Sequence, residues 1–222
     1  MKFRIASLLL SLLLCLLAVL MSGCAHKAPA FAELDFTAVD PATCTETDEV
    51  TDLVKISVEG FGDIIVRLYP EVAPKTVKNF QTLVADHYYD GVIFHRVVKG
   101  FMIQGGDIDG DGVTNDGLAT IKGEFSSNGF ENNLKHIRGV ISMARMKHDM
   151  NSASTQFFIV HKTELGKDLN DKYASFGYVV AGMDVVDAIA VVPVKNNASG
   201  REKSTPVTPV VIQSVRFVKV SE

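Results

Sequence analysis

The chain is poor in cysteine and has no tryptophan, and the few cysteines limit what can hold it together. Cys15 lies in an apolar leader, Cys24 directly follows that leader, and only Cys44 lies further along. A protein that loses the leader and modifies Cys24 keeps one cysteine, which excludes an intrachain disulfide even in an oxidising compartment. Cys44 has no histidine near it in sequence, so a catalytic thiol is not expected.

The chain also lacks an excess of basic residues. Its net charge is −4, and loss of residues 1–23 would remove Lys2 and Arg4 but no acid, leaving −6. Domains that bind nucleic acid are basic, so nucleic acid is not expected as a partner. The later histidines show no metal-ligand spacing, and neither a metal nor another cofactor is predicted.

The first 23 residues predict a signal peptide. A basic start precedes an apolar run from Ile5 to Met21, and Met21-Ser22-Gly23-Cys24 follows. Small residues before a cysteine resemble the bacterial lipobox, with methionine replacing the usual leucine. This resemblance implies a lipidated Cys24 in the cell envelope, on the outer membrane facing the periplasm if the organism is Gram-negative. A transmembrane anchor is the alternative, because the run is at the lower limit of spanning length; it would leave Cys24 unexplained.

Two further segments follow the leader. Residues 24–50 are rich in Ala, Pro, Thr and acids without a sustained period, which predicts a flexible tether. Residues 51–222 have the length of one domain with a full core.

Strand patterns dominate that domain. An opening hairpin is predicted from 53–58 and 64–68, and a closing strand from 210–220. Pro74 begins an amphipathic helix over 75–87, and a second helix is predicted at 183–191. The residues alone therefore predict an all-β, mainly antiparallel fold, either a sandwich or a barrel.

A hairpin near the middle of the chain carries an unusual cation. Residues 92–98 are β-branched and aromatic, Lys99-Gly100 indicates a turn, and 101–104 is apolar again. A three-residue connection would place Arg96 opposite Gln104, on adjacent strands, whereas a two-residue turn would put Gln104 on the other face. We favour the first register, because an arginine among apolar side chains needs an oriented acceptor that does not neutralise it.

Such a surface suits rotation about the peptide bond before proline. That rotation breaks amide resonance and requires no bond to be made or cut. A catalyst can hold the proline ring in an apolar pocket and donate a hydrogen bond to the nitrogen of the twisted amide.

The run from Gly91 to Asp107, together with the later Thr155–Val160, closely resembles the core of the cyclophilin family of peptidyl-prolyl isomerases. The resemblance extends from about Leu53 to Val220. It implies an eight-stranded closed β-barrel capped by two α-helices and isomerisation of X-Pro bonds in proline-containing segments of exported proteins. It assigns catalysis to Arg96, with Gln104 positioning it. Substrate-binding positions implied by the resemblance are Phe101, Met102, Ala144, Arg145, Gln156, Phe158, Leu169 and Tyr173, with the main chain of Arg145 implicated more than its side chain.

Some positions depart from the best-known eukaryotic members. The chain lacks the tryptophan that helps those members to hold cyclosporin, so weak cyclosporin binding is expected. Tyr173 replaces a histidine that many of them carry beside the pocket. A monomer is expected.

Two alternatives remain open at this point. The same groove would serve a chaperone or scaffold module that binds proline-containing segments, with incidental catalysis. The run Asp107-Ile108-Asp109-Gly110-Asp111-Gly112 has the spacing of a calcium loop, with Asn115 at a later ligand position. Its twelfth position is Leu118 instead of a bidentate acid, so a simple loop is favoured over a calcium-dependent envelope protein.

Overall fold

A computed structural model describes residues 26–112 and 117–221. The predicted signal peptide, 1–23, and the predicted lipidation site Cys24 lie outside the described residues. So does Asn115, the later ligand position of the possible calcium loop.

Nine of the described strands form one antiparallel sheet. The described strands are β1 Cys44–Thr47, β2 Leu53–Val58, β3 Gly62–Leu68, β4 Arg96–Val98, β5 Met102–Gly105, β6 Val140–Met143, β7 Phe157–Val160, β8 Ser175–Ala181, β9 Val194–Asn196, β10 Lys203–Pro206 and β11 Ile212–Val220. The order across the nine-stranded sheet is β1-β11-β2-β3-β8-β6-β7-β5-β4, and β9 and β10 pair as a separate hairpin.

The sheet curves until its two sides meet. The segment 91–94, which leads into β4, bonds the start of β11: Gly91 N donates to Ile212 O, Phe94 N to Val210 O, and Ile212 N to Val92 O. Eight strands, from β11 through β2 to β4, thus surround one core, and β1 is added outside on β11. The all-β antiparallel prediction is confirmed, and β1 is an element that it did not include.

Three α-helices accompany the strands in the described part of the chain: α1 Pro74–Ala85, the short α2 Thr163–Gly166 and α3 Met183–Ile189. None of them is long and apolar enough to cross a membrane. The two predicted helices correspond to α1 and α3. Helix α1 starts at a proline, and its N-cap Ala73 has no side-chain acceptor. The buried Glu124 supplies one, because its carboxylate accepts from the backbone N–H groups of Lys75 and Thr76 at 3.1 and 2.8 Å.

The segment predicted as a flexible tether, 24–50, differs from that prediction over its described part. Phe36 packs edge-on against Tyr178, with ring centroids 4.9 Å apart, and the Tyr69 hydroxyl donates to Asp35 O at 2.5 Å. Further along, β1 pairs with β11. Isolated aromatic residues and one paired strand fasten this segment to the barrel, and neither produces the periodic pattern by which packed segments are recognised in sequence.

Candidate active site

The β4–β5 hairpin has the predicted register. Arg96 pairs with Gln104 and Val98 with Met102, which leaves a three-residue connection, 99–101. Gly100 adopts φ +84°, a conformation that disfavours other residues. The end of β7 also holds this turn, since Gly100 N donates to His161 Nδ1 at 2.9 Å and His161 N donates to Phe101 O at 2.8 Å.

A cavity of about 240 Å³ opens beside this hairpin. Its lining is Arg96, Phe101, Met102, Gln104, Ala144, Arg145, Phe158, Leu169 and Tyr173. All nine residues are among the ten predicted from the sequence. The tenth, Gln156, is buried behind the lining, where its Oε1 accepts a hydrogen bond from Gln104 Nε2 at 2.9 Å.

One wall of the cavity is formed by β7 and the segment after β6. Phe157 and Phe158 point to opposite sides of the sheet: Phe157 contacts Phe80 and Tyr89 in the core, whereas Phe158 faces the cavity. The Phe158 ring meets Tyr173 edge-on at 5.8 Å and stacks on His136 at 6.0 Å. The wall is therefore a supported aromatic surface.

His136 supports this wall from inside the protein. Its ring hydrogen-bonds the Ser142 hydroxyl through Nε2 at 3.0 Å and Asn170 Oδ1 through Nδ1 at 3.2 Å. Burial lowers the pKa of His136 to about 4, because a charged imidazolium would lose its hydration there. The imidazole is thus neutral at physiological pH.

Arg96 brings its positive charge to the edge of the cavity. Its Nη1 donates to Gln104 Oε1 at 3.3 Å and lies 3.6 Å from Met102 Sδ. Its guanidinium carbon is 5.9 Å from the centroid of the Phe101 ring. The chain Arg96–Gln104–Gln156 orients the cation without neutralising it, since both partners are amides.

The structure adds a residue that sequence reasoning missed. Glu202 Oε2 accepts from Arg96 Nε at 2.6 Å, and Glu202 Oε1 accepts from Nη2 at 2.8 Å. Hydrogen bonds from Arg96 and from the Ser204 side chain lower the pKa of Glu202, with burial opposing them. Glu202 is 106 positions from Arg96, in a polar run that is typical of an exposed turn. We find no signal in the sequence that would have indicated this contact.

Arg145 uses its side chain within the protein. Its guanidinium carbon lies 4.7 Å from the centroid of the Tyr173 ring and 5.3 Å from that of Phe125. Its Nε donates to Lys172 O at 2.9 Å. The guanidinium thereby braces the Tyr173 end of the cavity, and the role predicted for the Arg145 main chain stays a prediction.

The possible calcium loop is held by a local hydrogen bond. Asp107 is buried, and its carboxylate accepts from Gly112 N at 2.6 Å, which closes the loop on itself. Within 26–112 and 117–221, no group of three or more histidine, cysteine or acidic residues is arranged to hold a metal ion. His95, which precedes Arg96 in sequence, is buried with no hydrogen-bond partner for either ring nitrogen among the described residues, and burial lowers its pKa.

Comparison with known proteins identifies the class to which this barrel and cavity belong. The family model described as cyclophilin type peptidyl-prolyl cis-trans isomerase/CLD matches residues 53–217. A peptidyl-prolyl cis-trans isomerase of Acinetobacter baylyi is 40% identical over 163 residues, which cover 72% of this chain and 82% of that protein. The isomerase cyp18 of Streptomyces antibioticus is also 40% identical over 163 residues, covering 71% of this chain and 93% of that protein.

A solved structure agrees with these sequence matches. The crystal structure of a cyclophilin-type isomerase from Cryptosporidium parvum, obtained in the presence of the dipeptide Ala-Pro, has a TM-score of 0.63 and 29% identity. The match covers 74% of this chain and 98% of the Cryptosporidium chain. The chain therefore belongs to the cyclophilin-type peptidyl-prolyl cis-trans isomerases, and it is an enzyme of that activity.

Proposed function

We propose that this isomerase accelerates rotation of X-Pro bonds by binding proline in the 240 Å³ cavity beneath the Arg96 guanidinium. The observation that carries the proposal is a cation fixed at the rim of a cavity whose lining includes Phe101, Met102 and Phe158. Phe101, Met102 and Phe158 would grip the pyrrolidine ring, because an apolar ring is best accommodated by apolar and aromatic side chains.

Arg96 would act on the nitrogen of the bond that rotates. The planar amide delocalises the nitrogen lone pair, and the twisted amide regains it, so a guanidinium N–H binds the twisted form better than the planar one. The barrier to rotation is about 18–20 kcal/mol. A millionfold acceleration would require about 8 kcal/mol, and a charge-assisted hydrogen bond in a site shielded from water would supply part of it.

Gln104 would keep the cation in place during this step. Its carbonyl oxygen accepts from Arg96, and its amide nitrogen donates to the buried Gln156, so the amide has a defined orientation. Neither Gln104 nor Gln156 carries charge, so these two side chains orient the guanidinium without neutralising it.

The proposed substrates are proline-containing segments of exported proteins. The Cryptosporidium relative was crystallised in the presence of Ala-Pro, which supports a proline-containing ligand for this cavity. The export part rests on the sequence of residues 1–24, from which we propose a lipid anchor on Cys24 and a location in the cell envelope. Mass spectrometry of the mature amino terminus tests the anchor, since an unlipidated start would contradict it.

Two expectations about partners accompany the proposal. Without a tryptophan near the cavity, cyclosporin should bind weakly, and titration with the drug measures this directly. We also propose a monomer, which sedimentation of the domain would test.

Replacement of Arg96 distinguishes the proposed mechanism from a module that only binds proline segments. Arg96→Ala should lower kcat/KM for a proline tetrapeptide about a hundredfold, because it removes the only charged donor assigned to the step. Arg216→Ala is the matched control: Arg216 also forms a two-point ion pair, with Asp90 at 2.8 and 2.7 Å, but it lies on β11, outside the cavity lining. Equal rates for wild type and Arg96→Ala would overturn the mechanism and favour the binding module.

A further inference from the structure

Arg96 receives a partner from outside the barrel wall. Glu202 lies in the turn between β9 and β10, and β10 packs against β4, which carries Arg96. The two oxygens of Glu202 meet Arg96 Nε and Nη2 at 2.6 and 2.8 Å. This two-point contact is the geometry in which a guanidinium and a carboxylate bind most strongly.

The contact uses one particular edge of the guanidinium. Glu202 takes the Nε–Nη2 edge, whereas Gln104 accepts from Nη1 at 3.3 Å on the side of Met102. Gln104 and Met102 line the cavity, and Glu202 lies outside that lining. Of the five N–H groups of the guanidinium, the bonds to Glu202 and Gln104 use three and the contact of Nη1 with Met102 Sδ uses a fourth, so one is left for a ligand.

We propose that Glu202 is a positioning residue for the isomerisation: it clamps the Arg96 guanidinium by the edge that lies outside the cavity lining and fixes the direction of the N–H group left for a ligand. The proposal rests on the role of Arg96 given above. Gln104 offers one neutral and longer bond, so Glu202 supplies most of the orientation.

The hairpin is built to hold this carboxylate. Asn197 Oδ1 accepts from Ser199 Oγ at 2.9 Å and from the backbone N–H groups of Arg201 and Glu202 at 3.2 and 3.4 Å. Asn197 N in turn donates to Glu202 O at 2.8 Å. The main chain at Glu202 is therefore tied down on both sides.

Charge also favours a positioning role. An arginine beside buried Phe158 and Met102 loses part of its hydration, and a carboxylate on its far side offsets that cost. The pair occupies only the Nε–Nη2 edge, so the N–H group that it leaves remains available as a donor. Glu202 thus stabilises the cation without occupying the space into which proline would bind.

Steady-state kinetics of Glu202→Ala, Glu202→Gln and Glu202→Asp tests the proposal. We expect Glu202→Ala to lower kcat about tenfold with KM changed less than about twofold. A loosely held Arg96 guanidinium does not change binding of the planar amide, but it is aligned less often with the nitrogen of the twisted amide. Glu202→Gln should recover part of kcat through its single acceptor oxygen. Asp90→Asn, which breaks the Arg216 pair, serves as the control for loss of an exposed ion pair and should leave kcat unchanged.

The double variant Arg96→Ala/Glu202→Ala separates this proposal from the mechanism. If Glu202 acts only through Arg96, the double variant should be as slow as Arg96→Ala alone. A normal rate for Glu202→Ala alongside a slow Arg96→Ala would overturn the role of Glu202 and leave the mechanism intact. A faster Glu202→Ala would show that the carboxylate competes with substrate, which also contradicts positioning. A normal rate for Arg96→Ala would instead overturn the mechanism itself.

Discussion

The two sides of the site are built in different ways. The aromatic wall comes from β7 and the segment after β6, and its Phe158 is 4% exposed and pairs across from Gln104 of the neighbouring β5. The polar clamp comes from the β9–β10 hairpin, a separate two-stranded unit whose Glu202 side chain is 36% exposed. The wall is therefore determined by strand register and burial, and the clamp by one long-range ion pair.

From this difference we expect that, as the pH falls, the aromatic wall is destabilised at a higher pH than the Glu202–Arg96 ion pair. His136 supports Phe158, and its pKa is about 4 in the folded protein against an ordinary 6.5. Between these values the unfolded chain binds more protons, so the free energy of unfolding falls as the pH drops from 6.5 through 4, by about 3 kcal/mol. The pKa of Glu202 is lowered, so its pairing with Arg96 contributes above the ordinary pKa of 4.5 and is lost only at more acidic pH.

Urea unfolding at pH 7 and pH 4.5 measures this loss. His136→Gln, which cannot gain a proton, should show a smaller drop between the two pH values than wild type. His95 and His161, whose pKa values are also lowered by burial, would retain part of the dependence. An equal drop in wild type and variant would mean that His136 does not make the wall acid-sensitive.

Neighbouring phenylalanines on β7 allow a second test of the wall. Phe158→Leu should lower kcat/KM about tenfold, because the ring that faces the cavity becomes a smaller aliphatic group. Phe157→Leu should retain activity and lose about 1 kcal/mol of stability, since Phe157 packs in the core. Kinetics and thermal unfolding of both variants check this division, and an equal loss of activity in both would contradict it.

The contrast between the aromatic wall and the Glu202 clamp also explains which features of the site could be predicted from the sequence. Alternation along β4, β5 and β7 predicts that Arg96 lies opposite Gln104 and that Phe157 and Phe158 point to opposite sides of the sheet. Successive side chains of a strand alternate between its two faces, so the spacing of two residues determines whether they share a face. Helix α1 followed from Pro74 and its apolar face. These features depend on residues close together in the chain.

Other features depend on contacts that no local pattern encodes. Glu202 reaches Arg96 only after the barrel has formed, and Glu124 caps α1 from 48 positions away. The packing of Phe36 on Tyr178 likewise joins distant segments, so the sequence of 24–50 predicts only a flexible tether. A turn full of polar residues has the same composition whether it is free in solvent or holds a catalytic side chain.

Loss of Gln104 should have a smaller effect than loss of Glu202. Gln104→Leu removes one neutral bond of 3.3 Å to Arg96, whereas the two oxygens of Glu202 remain in place. We expect kcat to fall about threefold, against about tenfold for Glu202→Ala. Side-by-side kinetics of the two variants decides the order, and a larger loss for Gln104→Leu would assign the orientation of the guanidinium to Gln104.

The smallest effect should come from the turn that carries the clamp. Asn197→Ala removes the side-chain oxygen that accepts from Ser199, Arg201 and Glu202, so the Glu202 main chain should become more mobile while its carboxylate stays present. We expect kcat to fall about twofold at unchanged KM, and Asn197→Asp, which keeps the acceptor oxygen, to restore it. The mobility of the hairpin backbone, measured by NMR relaxation, should increase in Asn197→Ala and should stay at the wild-type level in Asn197→Asp. If the hairpin loosens and kcat stays at the wild-type value in that variant, the ion pair holds the guanidinium by itself, and the turn serves only to deliver Glu202.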